Sequence, residues 1–140
     1  MSAFTTYRKS AGIAGTLLLA VSVVACKPAT SSNLPTHNLA GGPAAQLESV
    51  SLALDGNCLV VGSGASEWLA IWPSGYRLDG DLLMNGLDRV AATGDVLTVT
   101  GGSFSSYEDV QAMLVTPVPP TCRARPYWVV AVGGVIRDGP

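Results

Sequence analysis

The chain has 140 residues, a formal net charge of −2 and only 13% charged residues. That length holds one domain with a single modest core. Its acidic balance argues against nucleic-acid binding, which needs a basic face. So few charges leave much of the surface to Ser, Thr, Gly and Asn.

Residues 1–10 carry Arg8 and Lys9 and no acid, and residues 11–25 carry no charge at all. A positive start, an apolar run and a small residue at its end are the layout of an export signal. The run is shorter than the roughly 20 residues a spanning helix needs. Gly12, Gly15, Thr16 and Ser22 weaken it further as a permanent anchor. Pro28 bars a helix from continuing past Cys26. Three fates are open on this pattern alone: a cut that leaves a modified Cys26, an ordinary secretory cut that leaves Cys26 as a spare thiol, and an uncleaved helix.

Val23-Val24-Ala25-Cys26 resembles the lipobox of bacterial lipoproteins. That family usually has Leu where Val23 stands, and Ala or Ser where Val24 stands. The resemblance implies a cut before Cys26, a diacylglycerol on its thiol and an acylated amino group. Residues 1–25 are then a signal peptide with an N-terminal signal helix. Losing Arg8 and Lys9 with them takes the net charge to −4. Each buried CH₂ of an acyl chain contributes about 0.8 kcal/mol, so two or three chains hold a protein to a bilayer durably. The expected location is the extracytoplasmic side of the cell membrane or the outer membrane, with membrane lipid as the first partner.

Residues 26–46 follow as a lipidated Cys and a tether. Pro28, Pro35, Pro43, Gly41 and Gly42 exclude regular structure there, and large apolar residues are few. Such a tether would hold the domain a few nanometres from the bilayer. The folded domain is expected over residues 47–140.

In residues 49–54 Val50, Leu52 and Leu54 alternate to one face, which predicts a half-buried strand. Asp55-Gly56-Asn57 is a turn, and Cys58–Val61 pairs back as a hairpin. Gly62–Ser66 is a flexible turn. Glu67–Trp72 is a third strand, ended by Pro73, with Trp68, Ala70 and Trp72 on one face and Leu69 and Ile71 on the other. Turns are expected at Pro73–Tyr76, Asp79-Gly80 and Asn85-Gly86, with short strands at residues 82–84 and 89–92. Val96–Thr100 is the clearest strand, and Gly101-Gly102 is expected to end it. Ser105 and Glu108 have capping-box spacing, which predicts a short helix from Ser106 to about Leu114 burying Val110, Met113 and Leu114. Pro117, Pro119 and Pro120 impose an extended loop. Residues 127–132 form a last apolar strand that Gly133-Gly134 closes, and the tail after it adds one more short strand. The fold class is therefore all-β, a small closed β-barrel resembling the OB-fold, with at most one short helix.

With Cys26 set aside, Cys58 and Cys122 form an even pair in an oxidising compartment and read as one disulfide; two buried free thiols are the other arrangement. The segment from Cys58 to Trp128 resembles small uncharacterised bacterial lipoprotein domains. The matching residues are Cys58-Leu59, Trp72-Pro73-Ser74-Gly75-Tyr76, Gly94-Asp95-Val96, Gly101-Gly102, Cys122 and Tyr127-Trp128. The resemblance carries the fold and the disulfide and no activity.

Catalytic patterns are wanting. The single His, His37, falls in the expected tether, which takes Ser-His and Cys-His pairs out of the domain. Gly62-Ser63-Gly64-Ala65-Ser66 lacks the order of a nucleophile elbow. Asp79-Gly80-Asp81 is followed by Leu82, Leu83 and Met84 where a calcium loop needs oxygen ligands. No Lys follows Leu47, so no phosphate loop is present, and neither a metal nor a cofactor is called for. Aromatics in so small a domain are mostly core. Trp72 and Tyr76, beside Arg77, are the candidate binding residues, and Arg123 and Arg125 read as a solvated loop. The expected role is a non-catalytic binding or structural module acting on an envelope protein or glycan. The alternative is a small extracytoplasmic enzyme with a carboxylate or Tyr site.

Overall fold

A computed structural model describes residues 31–32, 34–63 and 66–139. The signal segment, Cys26 and the middle of the Gly62–Ser66 turn lie outside the described residues. The elements are β1 (Ser31–Ser32), β2 (Thr36–His37), β3 (Ala45–Asp55), β4 (Cys58–Ser63), β5 (Ser66–Pro73), β6 (Tyr76–Asp79), β7 (Leu82–Asn85), β8 (Asp88–Ala92), β9 (Val96–Phe104), α1 (Tyr107–Gln111), β10 (Leu114–Thr116), a 3₁₀ turn (Pro120–Cys122) and β11 (Tyr127–Arg137). The fold is mainly β, as the alternation predicted.

The small sheet runs β1-β6-β7-β8. The large one runs β10-β2-β5-β11-β9-β3-β4, and β4 also pairs with β5. β5 lies parallel to β2 and to β11. The turns predicted at Asp55–Asn57, Pro73–Tyr76, Asp79-Gly80 and Asn85-Gly86 are in place. Gly86 has φ 60° between Asn85 and Asp88, a left-handed conformation that glycine adopts without a Cβ clash.

The central strands are apolar on both faces, so each face has its own core. Leu59, Val61, Ala70, Trp72, Trp128 and Val130 point to the first, where β3, β9 and the small sheet add Leu52, Leu97 and Leu83. Val60, Leu69, Ile71, Tyr127 and Val129 point to the second, which α1 and the loop before β11 cover with Val110 and Val118. Runs such as Trp68–Trp72 need cover on both sides, and this fold supplies it.

Several expectations are corrected. Gly101-Gly102 does not end β9; the strand continues to Phe104 beside β11. A Cβ at Gly101 would strike the Val129 carbonyl oxygen and the Trp128 indole nitrogen, and one at Gly102 would strike the Pro43 ring. The two glycines permit close approach and do not mark a break. Gly133-Gly134 likewise sits inside β11, within a register shift between Val130 and Val135, so the tail is the same strand. The helix stops at Gln111, and Leu114 starts β10, which pairs with β2. Its cap is Ser106, which accepts from the Asp109 N–H at 3.4 Å, one residue later than the predicted box. Ser49, at φ 53°, occupies the register shift between Leu47 and Val50 of β3.

The largest correction concerns the expected tether. Ser31–Ser32 pairs with Leu78 and Asp79, and Thr36–His37 lies between β5 and β10. Leu34, Thr36 and His37 are buried. Residues 45–46 already belong to β3. Two-residue strands between prolines carry no periodicity to read, and the burial of Thr36 and His37 comes from strands far away in the chain.

Candidate functional site

β5 ends at Pro73, and the Ser74-Gly75 turn delivers Tyr76 onto the small sheet. Tyr76 stacks on Trp72 with ring centroids 5.7 Å apart and 20° between planes. Trp72 itself is fully buried, so it does not line a binding surface. Its position is core because Leu34 and the small sheet close over it. Its Nε1–H has no partner among the described residues. Tyr76 is half-buried and forms the accessible layer of the pair. Burial pushes its phenol pKa above the ordinary value. Arg77 donates to the Gly86 carbonyl and so clasps the β7–β8 turn. Of the three predicted binding residues, Tyr76 alone offers a free ring surface to a groove.

That groove, of about 430 Å³, runs between the segment after β2 and the turns at Ser74 and Asn85. Asn38, Ser74 and Asn85 give it exposed neutral polar groups, and Leu39 and Val132 give it an apolar rim. On the other side of Tyr76 a smaller groove of about 210 Å³ is lined by Thr36, Arg77 and Thr116.

His37 stands at the root of the larger groove and was missed as a structural residue. Its Nδ1 accepts from the Leu39 N–H at 3.1 Å. Nε2 must then hold the ring proton and donate to the Val130 carbonyl at 2.6 Å. The His37 carbonyl accepts from both the Ser74 N–H and the Ser74 hydroxyl, each at 3.0 Å. His37 thus ties β2 to β11 and to the turn before Tyr76. Removing its ring leaves a buried acceptor and an N–H unpaired, so His37→Ala is expected to lower the unfolding free energy by about 2–3 kcal/mol. Urea unfolding checks this. A cost below about 0.5 kcal/mol would show that the ring does not hold these two elements together in solution.

Cys58 and Cys122 form a disulfide with Cα atoms 5.5 Å apart, so the pairing stands and the free-thiol arrangement does not. The basic spot beside it lies in a largely exposed loop, as predicted, and both arginines also make contacts there. Arg125 pairs with Asp55 and, at 3.4 Å, with Glu67. Arg123 lies 4.0 Å over the Tyr107 ring and donates to the Val118 carbonyl. Tyr127 donates to the Arg123 carbonyl at 3.2 Å, and burial, partly offset by the Arg123 charge, raises its pKa. Asp79 and Asp81 flank the β6–β7 turn. Among the described residues no group of three His, Cys, Asp or Glu side chains is placed to hold a metal ion.

The signal for His37, Asn38 and Asn85 was faint in the sequence: an apolar Leu34 and Leu39 bracketing a lone His, and an Asn-Gly that reads as a turn and nothing more. Compared with protein-family models, with curated proteins and with solved structures, the chain matches none.

Proposed function

We propose that the chain is a lipid-anchored envelope protein whose folded part is a non-catalytic binding or structural module. The observation that carries the reading is the cysteine arrangement. Cys58 and Cys122 pair with each other, which suits an oxidising compartment. That leaves Cys26 as the odd cysteine, at the end of the lipobox-like stretch. The groups most suited to acid–base work support the non-catalytic part by their structural engagements. Both His37 ring nitrogens are occupied. Asp55 and Glu67 serve Arg125. Asp95 accepts from the Ala92 N–H at 2.8 Å, and Asp138 from the Thr98 hydroxyl at 3.0 Å.

The same proposal reads the large sheet as a small closed barrel with OB-fold order. Support comes from five pairings that each share a strand with the next: β3 with β4, β4 with β5, β5 with β11, β11 with β9, and β9 with β3. In this reading the small sheet covers one opening with Leu78, Leu83 and Ala91.

The test is the intact mass and the fractionation of the expressed protein beside Cys26→Ser. The wild type is expected in membranes, with the mass of residues 26–140 plus acyl groups, and the variant is expected to lose the acyl mass. A soluble wild type without lipid sinks the anchor.

A further inference from the structure

The groove beside Tyr76 is a site for a neutral carbohydrate, we infer from its chemistry; the inference rests on the binding-module reading and names the ligand class. Around the groove, residues 37–44, 73–76, 85–87 and 131–134 contain no Lys, Arg, Asp or Glu. An ionic ligand therefore meets no counter-charge in the lining itself, and the nearby Arg77 guanidinium is engaged by the Gly86 carbonyl. Neither β2, flanked by β5 and β10, nor β7, flanked by β6 and β8, offers a free edge to an extended peptide.

What the groove offers is an aromatic ring, two amides and an apolar rim. Tyr76 is a ring backed by the buried Trp72, so it is held flat and cannot swing away. A rigid ring of this kind takes the C–H face of a sugar, and its hydroxyl is a polar handle at the edge. The exposed side chains of Asn38 and Asn85 each carry a donor and an acceptor, which match vicinal hydroxyls that donate and accept at once. Leu39 and Val132, exposed to 38% and 69%, cover the remaining C–H surface. The volume of about 430 Å³ falls within the ~300–1,000 Å³ range of small-ligand sites.

The test titrates the purified, lipid-bearing protein and its Cys26→Ser form with neutral tetrasaccharides: β-1,4-linked N-acetylglucosamine, β-1,4-linked glucose and α-1,4-linked glucose. Isothermal titration calorimetry reads binding, tryptophan emission from Trp68, Trp72 and Trp128 accompanies it, and the sugars are checked afterwards by mass. A saturable change with at least one tetrasaccharide is expected, weakened at least about tenfold in Asn38→Ala and in Tyr76→Leu. Asn38 lies outside every strand, so its variant keeps the fold if Tyr76→Leu does not. No saturable change with any of the three up to about 10 mM, or equal binding by Asn38→Ala and a folded Tyr76→Leu, overturns the inference. Binding followed by cleavage of the sugar keeps the site and removes the non-catalytic reading. Binding by a wild type that proves free of lipid keeps the site and removes the anchor.

Discussion

Reduction of the Cys58–Cys122 bond, or Cys58→Ala with Cys122→Ala, is expected to lower the unfolding free energy by about 4 kcal/mol and the thermal midpoint by roughly 15 °C. The bond spans a sequence separation of 64, so breaking it frees a long loop in the unfolded chain. Chain entropy for a loop of that size gives the figure. The native contacts around it are otherwise kept: Val60, Leu69, Ile71 and Tyr127 pack on the same side of the sheet, and Arg125 bridges to Asp55 beside Cys58. Alanine is the right replacement because both cysteines are buried and a serine hydroxyl would need a partner. Urea and thermal unfolding of the oxidised, reduced and double-alanine forms measure the effect. Agreement of the last two, both well below the first, is the expected pattern. A difference under about 1 kcal/mol would show that the second core alone holds the loop before β11.

Trp72→Ala is expected to cost about 3–5 kcal/mol, and Trp72→Phe only about 1 kcal/mol. The alanine leaves a cavity between Ala70, Leu34 and the small sheet, in a core whose members are almost fully buried. The phenylalanine also gives up volume. It removes, however, an indole N–H that is buried without a partner among the described residues, and the desolvation of such a group costs about 1–3 kcal/mol. The two terms oppose each other. Urea unfolding followed by far-UV circular dichroism compares the three proteins. Equal losses for Ala and Phe would mean that the indole nitrogen has a partner in solution and that the cancellation is false. Because Tyr76 stacks on Trp72, the alanine variant should also loosen the groove ring, while the phenylalanine variant should not.

The long strands were legible in the sequence because their signals are local. Alternation marked Val50, Leu52 and Leu54, although Leu54 stays 41% exposed near the strand's end. Asp55-Gly56-Asn57, Asp79-Gly80 and Asn85-Gly86 announced their turns. The cysteine count announced the disulfide. The rest depended on contacts between distant residues. Gly101 looks like a strand end until Val129 is seen to pass against it. His37 looks like a tether residue until Val130, 93 positions away, supplies its acceptor. Trp72 and Tyr76 carry the same aromatic signal in the sequence, yet only their packing decides that one is floor and the other surface.

The pairing of β1 with β6 sets the length of the leash. With Cys26 acylated as proposed, five residue steps separate the lipid from Ser31, a reach of at most about 18 Å. Ser31 stands opposite Asp79 in an antiparallel ladder, at the Gly80-Asp81 end of the small sheet. Tyr76 and Asn85 face each other at the far end of that ladder. A domain moored this closely would not tumble freely. On that proposal it would stand with the Asp79–Asp81 end of the small sheet nearer the lipid than the Tyr76 and Asn85 end.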